Sequence, residues 1–409
     1  MGKRNVIIIA ILTSLELFNI AFLGEALVKM AQMAGIGLLI LIILIESIYN
    51  TGENFKMHFK YEIYAIFISL ITSLLMAYSA HGQDYSITII AQRFMYFYLF
   101  YFALHKVKIS DFDLEKIMIF LAIIHAVFYI IQYFAYPERL FDIRISSERG
   151  TIRIFLQGMS YLVLAYFFIL NKLFERFRLS GILLLIFFFS IFILMGTRQV
   201  IFTMFALSIL NILMSKRIKS KMIILTLAII GSIPVFLMFE GIFISLLDIS
   251  ETQSSGFEED IRIRSALYFL TEFFPNKLAY LTGNGVDSSN SGFGLMVQMY
   301  KDVFGYFQTD IGIIGDFSRF GAIFLIAVFI IIIKVLRYKL PEKLQYIKYY
   351  YISILLTFFT GAGAFGQGGS IVAICTTLYL IDVYRHDIDK KNHDDDSEDF
   401  SENPEIITN

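Results

Sequence analysis

Long apolar runs are the feature that most restricts how this chain can fold. A helix needs about 20 apolar residues to cross a hydrocarbon core of about 30 Å. Charged residues make up only 17% of the chain, against about 25% in a soluble domain, so the sequence predicts an all-α polytopic membrane protein of about 12 transmembrane helices. The predicted spans lie near residues 5–23, 31–49, 62–80, 87–105, 116–135, 154–171, 180–196, 199–215, 222–240, 311–334, 349–366 and 368–384.

Lysine distribution orients these spans. The loops on one side hold 16 Lys and 6 Arg, and the positive-inside rule places that side in the cytoplasm. An even number of spans then puts both termini there. We therefore predict a transmembrane domain at 1–386, with extracytoplasmic loops at about 136–153 and 241–310, followed by an acidic, disordered cytoplasmic tail at 387–409.

Arginine has the opposite distribution. The predicted outer loops hold 8 Arg and 3 Lys. A guanidinium group binds phosphate through two parallel hydrogen bonds, whereas the lysine ammonium acts as a point charge. This bias indicates an outward-facing site for a large, phosphate-bearing anion. The candidate arginines are Arg93, Arg144, Arg149, Arg153, Arg198, Arg262, Arg264 and Arg319.

Several of these arginines also have a purely structural interpretation. In the loop 136–153 acidic residues lie between them, so local ion pairs on a solvated loop compete with a basic surface that captures a lipid-linked sugar phosphate. Arg198, at a helix end, can extend to the lipid headgroups. Arg262 and Arg264 are two residues apart and diverge by about 200° on a helix, so only one can face a ligand while the other pairs with an acidic residue at i−4.

Carboxylates near the predicted span 311–334 supply the candidate for proton transfer. Asp316 and Arg319 are i,i+3 neighbours and can neutralise each other. Asp310 has no local partner of this kind. Ionisable groups at a membrane are costly unless they pair or face water, so Asp310 is the preferred carboxylate.

The remaining polar groups of the apolar runs are less informative. Arg93 can line the outer cavity or pair with Glu46 or Glu62. The single cysteine, Cys375, excludes an intrachain disulfide and a Cys-x-x-Cys pair. The histidines have no metal-ligand spacing, and no nucleic-acid motif is present, so we predict neither a metal site nor a nucleic-acid partner.

Three segments carry a resemblance to a known family. They are "MGTRQ" at the end of the seventh span, "LTGNGVD" in the large outer loop and "TDIGIIGDFSRFG" leading into the next span. With this order, about twelve spans and one large outer loop, the chain resembles the O-antigen and capsular polysaccharide polymerase (Wzy) family and its relatives, the O-antigen ligases.

The resemblance implies a GT-C-like glycosyltransferase in the bacterial cytoplasmic (inner) membrane. It would work without a metal or cofactor on the extracytoplasmic side, on oligosaccharide linked to undecaprenyl diphosphate. Ligases of this group typically carry a His in the large loop just ahead of the span entry. This chain has no His between His125 and His386 and has Gln308, Thr309 and Asp310 there, which favours a polymerase.

The predicted polymerase moves glycan from its lipid diphosphate onto a new lipid-linked repeat unit. Its expected partners are membrane lipid and other polysaccharide-assembly proteins, such as a flippase and a chain-length regulator. The alternatives are an O-antigen ligase and a lipid-linked oligosaccharide flippase. The lack of internal repeats disfavours the flippase. Expected catalytic residues are Arg198, Arg262, Arg264 and Asp310. Expected substrate-binding residues are Arg93, Arg144, Arg149, Arg153 and Arg319.

Overall fold

A computed structural model describes most of the chain, and almost all of that part is helical. The described residues are 3–49, 56–147, 152–217, 220–222, 226, 261–359 and 363–401, with side-chain surroundings as far as residue 388. The helices are α1 (Lys3–Ser14), α2 (Gly24–Tyr49), α3 (Lys60–His81), α4 (Tyr85–Ala91), α5 (Leu99–Val107), α6 (Asp111–Ala135), α7 (Met159–Glu175), α8 (Leu179–Leu194), α9 (Arg198–Met214), α10 (Ile261–Thr271), α11 (Ala279–Thr282), α12 (Gly292–Phe304), α13 (Ile313–Arg337), α14 (Gln345–Leu356) and α15 (Gly368–Ser401). One short hairpin pairs β1 (Ile145–Ser146) with β2 (Arg153–Ile154).

Four helices of the described part are long and apolar enough to cross a membrane. They are α2, which the chain enters through a 3-10 turn at Ala21, and α3, α6 and α13. A fifth span exists if α4 and the helical segment Arg93–Val107, bent by 60° at their junction, cross together. These helices agree with an all-α membrane protein. The twelve-span topology and the GT-C-like architecture stay predictions.

The first predicted span, 5–23, is divided in the structure. Helix α1 ends at Ser14, where the Ser14 hydroxyl donates to the carbonyl of Ile11 at 2.7 Å. A short 3-10 turn, Glu16–Asn19, follows before α2 begins at Gly24. An α1 of 12 residues is about 18 Å long, too short to cross the hydrocarbon core alone.

Other predictions concern the end of the chain or segments outside the described residues. Helix α15 continues through Ser401, beyond the boundary placed at 386. Residues 402–409 lie outside the described part, and the disorder of the tail stays a prediction. Arg149, most of the predicted span 222–240 and the first part of the large loop, 241–260, also lie outside it.

Helix α7 is at the centre of the main hydrophobic core. Every residue from Tyr161 to Asn171 is buried, as expected of a helix that is apolar on all faces. It packs against α6, α8, α14 and α15. Helices α3 and α13 form another extensive contact and run antiparallel, because Glu62 in the first turn of α3 pairs with Lys334 near the end of α13.

Ion pairs concentrate at one end of the bundle, which we call the lysine end. There Lys334 pairs with Glu62, and Arg217 bridges Glu175 at 2.6 Å and Glu342. Further pairs are Arg4 with Asp113, Lys172 with Glu175 and Lys343 with Asp111. These residues come from loops or span ends that the sequence assigns to the cytoplasmic side. The opposite end, where α3 finishes and α13 begins, we call the arginine end.

Candidate functional site

The β1–β2 hairpin brings arginines and aromatic rings together at the arginine end. The guanidinium carbons of Arg144 and Arg153 lie 5.5 and 5.3 Å from the ring centre of Phe155. Arg144 is also 5.8 Å from the ring of Phe307, and the Lys301 ammonium is 5.3 Å from the same ring. Cations within about 6 Å of a ring are attracted by its quadrupole. The two predicted outer loops therefore meet here, and we call this group the cationic cleft.

Arg198 lies next to the cationic cleft in the fold. Arg153 Nη2 approaches the hydroxyl of Thr197 at 3.5 Å, and Arg198 is the following residue and the first of α9. The Gln199 amide donates to the carbonyl of Leu356 at 2.6 Å. This bond fixes the start of α9 against the end of α14, so the half-buried Arg198 occupies a defined position near the hairpin.

Two of the segments that carry the family resemblance are in direct contact. The backbone N–H of Asn284 donates to the carbonyl of Ser318 at 3.0 Å, and that of Gly285 donates to the carbonyl of Arg319 at 2.8 Å. Gly283 must lack a side chain, because its Cβ would lie 2.2 Å from the carbonyl oxygen of Arg319 and its φ is +75°. "LTGNGVD" thus pairs through its backbone with "TDIGIIGDFSRFG".

This contact also positions Arg319. Its Nε donates to the Gln308 side-chain oxygen at 3.2 Å, and the Gln308 amide donates to the Ser318 hydroxyl at 2.8 Å. Gln308 is buried, so its two hydrogen bonds hold the half-buried Arg319 beside the segment that contains Phe307 and Asp310.

Asp310 and Asp316 have different surroundings. Asp310 is half-buried in the turn Gln308–Ile311, where Thr309 donates to it at 3.4 Å. Asp316 is 3% exposed, and its Oδ2 has no hydrogen-bond partner among the described residues. No Asp316–Arg319 ion pair is present in the described part, since Arg319 Nε is directed to Gln308. The suggested pairing is therefore not a direct contact, although the charge of Arg319 still acts on Asp316.

Helix α10 places its two arginines in different environments. Arg262 is half-buried and Arg264 is exposed, in keeping with the divergence expected from their spacing. The helix packs against the turn Gln308–Ile311 and against α13, so it borders the segment that holds Asp310. The i−4 residues predicted as partners, Glu258 and Asp260, lie outside the described residues.

Arg93 lies apart from the cationic cleft, in a separate polar cavity. Its Nε donates to the Gln32 side-chain oxygen at 2.6 Å, and Nη1 donates to the carbonyl of Ile90 at 3.1 Å. The alternative pairing with Glu62 is wrong, since Glu62 binds Lys334 at the other end of the bundle. Arg93 does line a cavity, but this cavity is separate from the cationic cleft and is not the shared outer cavity of the prediction.

The arginine end differs from the lysine end in its counter-ions. Within the described ranges, several cations of the arginine end form no ion pair with a carboxylate: Arg93, Arg144, Arg319 and Lys301. By contrast, Lys29 at this end pairs with Glu25 at 2.5 Å. At the lysine end, cations bind carboxylates directly. The cationic cleft therefore has donors whose charge is not neutralised locally.

A cluster of buried polar groups at the lysine end was not predicted. Asp382 is fully buried and accepts hydrogen bonds from His58 Nδ1 at 3.0 Å, His105 Nε2 at 3.1 Å and the Tyr101 hydroxyl. The sequence signal was a lone carboxylate and a histidine within apolar runs, which usually pair. Spacing does not reveal the pairing, because the partners come from two segments, His58 and helix α5, that are both distant from Asp382 in sequence.

No family model matches the chain, and no curated protein matches it. The function is therefore inferred from the residues themselves.

Proposed function

We propose that this protein is a polysaccharide polymerase that transfers glycan from undecaprenyl diphosphate onto a lipid-linked repeat unit. The observation that carries the proposal is the cationic cleft, in which Arg144, Arg153 and Lys301 surround two phenylalanine rings beside Arg198. In the described part, neither Arg144 nor Lys301 has a carboxylate partner, so a diphosphate can bind them without first breaking an ion pair.

The chemistry of the cleft suits a diphosphate leaving group. A hydroxyl oxygen of the acceptor sugar attacks the anomeric carbon of the donor, and the bond from that carbon to the diphosphate oxygen breaks. The electron pair stays on the departing diphosphate. Preorganised guanidinium groups stabilise the charge that develops there, which is commonly the largest contribution to such a reaction.

The attacking hydroxyl must also lose its proton. Asp310 is half-buried one turn beyond Phe307, and its carboxylate accepts one weak hydrogen bond, from Thr309. It is therefore available to accept the proton as a general base. Arg319 lies on α13 beside the turn that contains Asp310, and Gln308 holds its guanidinium in place. We assign Arg319 to binding the phosphate groups. No metal or cofactor enters this scheme.

The test is glycan length in a polymer-producing strain. We expect Arg144→Ala and Arg319→Ala to shorten the ladder towards a single repeat, since loss of one such donor costs roughly 10²–10³-fold in rate. The matching lysine variants keep the charge without the bidentate geometry and should lie in between. Arg139→Ala is the control, because Arg139 is exposed on the same loop.

The outcomes separate this proposal from its alternatives. Normal ladders in both alanine variants, at normal membrane abundance, would overturn it. Deletion of the gene gives single-repeat glycan for a polymerase, capped core without glycan for a ligase, and lipid carrier retained in the inner leaflet for a flippase.

A further inference from the structure

A second polar cavity lies at the arginine end, beside the cationic cleft. Its volume is about 250 Å³, below the range of about 300–1,000 Å³ typical of drug-sized ligands. Three carboxylates and two cations are among the residues that line it. The lining residues are Glu16, Asn19, Ile20, Gly24, Glu25, Val28, Lys29, Arg93 and Asp142.

An unusual backbone turn forms one wall of this cavity. The four residues Glu16–Asn19 all have positive φ, between 50° and 58°, although none is glycine. Such residues are costly outside glycine and concentrate at functional sites. The turn directs both Glu16 and Asn19 to the cavity, and the Asn19 amide donates to Glu16 Oε2 at 2.8 Å. The carbonyl of Asn19 accepts the backbone N–H of Asp142 at 2.6 Å.

A buried glutamine joins the acidic and basic walls. Gln32 is 1% exposed. Its oxygen accepts from Arg93 Nε at 2.6 Å, and its amide lies 3.4 Å from Glu16 Oε1. Both bonds involve a charged partner, so they fix the orientation of the two side chains. The Arg93 guanidinium keeps further N–H donors for a ligand, since its Nε and Nη1 alone are directed to protein oxygens.

The chemistry of the lining excludes a second phosphate site. Glu16, Glu25 and Asp142 would repel a diphosphate, and Lys29 is already paired with Glu25. What remains is a small space with carboxylate acceptors on one side and guanidinium donors on the other. Sugar hydroxyls both donate and accept hydrogen bonds, so a neutral pyranose ring matches this arrangement.

The cavity is also close to the cationic cleft. Asp142 lines the cavity and Arg144 faces Phe155 and Phe307, and two residues of chain span at most about 7 Å. We propose that the cavity binds one neutral sugar ring of the lipid-linked glycan, adjacent to the diphosphate. This inference rests on the proposed function and adds to it the residues that recognise the sugar.

The test is direct binding of sugars to the purified full-length protein. Saturation-transfer NMR would use a panel of neutral hexoses and N-acetylhexosamines at millimolar concentration, with inorganic pyrophosphate as a separate probe. We expect at least one neutral sugar to bind. Arg93→Ala and the isosteric, exposed Asp142→Asn should weaken it roughly tenfold or more, as expected for loss of a charge-assisted hydrogen bond. Arg144→Ala should weaken pyrophosphate binding and leave the sugar unaffected.

Each result has a definite meaning. Absence of binding by every neutral sugar, unchanged sugar binding in Arg93→Ala and Asp142→Asn, or displacement of the sugar by pyrophosphate would each overturn the inference. If pyrophosphate fails to bind while the sugar binds as expected, the proposed function loses its support but the sugar cavity stands.

Discussion

Replacing Asp382 with alanine should destabilise the lysine end strongly. Asp382 accepts four hydrogen bonds, two of them from His58, one from His105 and one from Tyr101. His105 also has its Nδ1 2.8 Å from the carbonyl of Tyr101. Both ring nitrogens of His105 therefore lie next to oxygen atoms, and Nε2 shares the Asp382 carboxylate with His58 and Tyr101.

The size of the expected loss in stability follows from the burial of Asp382 and its partners. Asp382 and Tyr101 are 0% exposed, and His105 is 1% exposed, so water cannot replace the lost acceptor. Each buried donor that loses its acceptor costs about 1–3 kcal/mol, so losing the shared acceptor of three side chains should cost about 3–5 kcal/mol. With an unfolding entropy of about 2.1 cal/mol/K per residue, this lowers the melting temperature by roughly 4–6 °C. Asp382→Asn keeps the shape and one acceptor and should cost less.

The chain contains its own reporter for the measurement. Cys375 is the only cysteine, is fully buried and lies two turns before Asp382 on α15. A thiol-reactive fluorogenic dye therefore reports unfolding of the full-length protein in detergent. Lys343→Ala is the control, because its pair with Asp111 is half-exposed and such pairs contribute about 0–1 kcal/mol. Equal melting temperatures for Asp382→Ala and Lys343→Ala would refute the reasoning.

Three further predictions use the same thiol assay. Asn19→Ala should be about 1 kcal/mol less stable than Asn19→Gly, because both lose the amide but only alanine carries a Cβ at φ +51°; equal stability would contradict the strained turn. Gly283→Ala should cost about 1–3 kcal/mol through overlap with a backbone carbonyl of α13, while Gly292→Ala, whose Cβ meets nothing within 4 Å, should be near neutral. Burial raises the pKa of Glu175, but hydrogen bonds and charge contacts with Arg217 and Lys172 together outweigh this and hold the pKa below its ordinary value. The pair therefore stabilises the protein above the ordinary Glu pKa of about 4.3 and is lost as pH falls below it. Arg217→Ala should be about 0.5–1 kcal/mol less stable at pH 7, and a difference that persists unchanged at pH 3 would be inconsistent with this titration.

The helical, apolar character of the chain follows from its sequence alone. Apolar runs such as 116–135 and 311–334 correspond to α6 and α13, because a helix that faces lipid or a packed core needs apolar residues along its whole length. Residues assigned to the lysine-rich side, such as Lys334 and Glu62, pair with each other in the structure.

The composition of each site depended on the tertiary structure. The sequence places Arg93 among the loop arginines, yet Arg93 contacts Gln32 in its own cavity. The sequence also points to Arg144 and Arg153, but it contains no sign that Phe307, more than 150 residues away, completes their site. Sequence spacing predicts contacts only within one helix or strand, and these contacts join segments that meet through packing.

The turn Glu16–Asn19 and the Asp382 cluster show most clearly what depends on the sequence and what depends on the tertiary structure. No local propensity favours four left-handed residues in succession, so that conformation exists because neighbouring segments hold it, among them the backbone of Asp142. Likewise, a lone Asp382 in an apolar run signals a partner without saying which. The sequence alone determined which segments are helical and where charged residues are tolerated. Only the folded chain decided which charges meet, because that depends on helix packing between residues far apart in sequence.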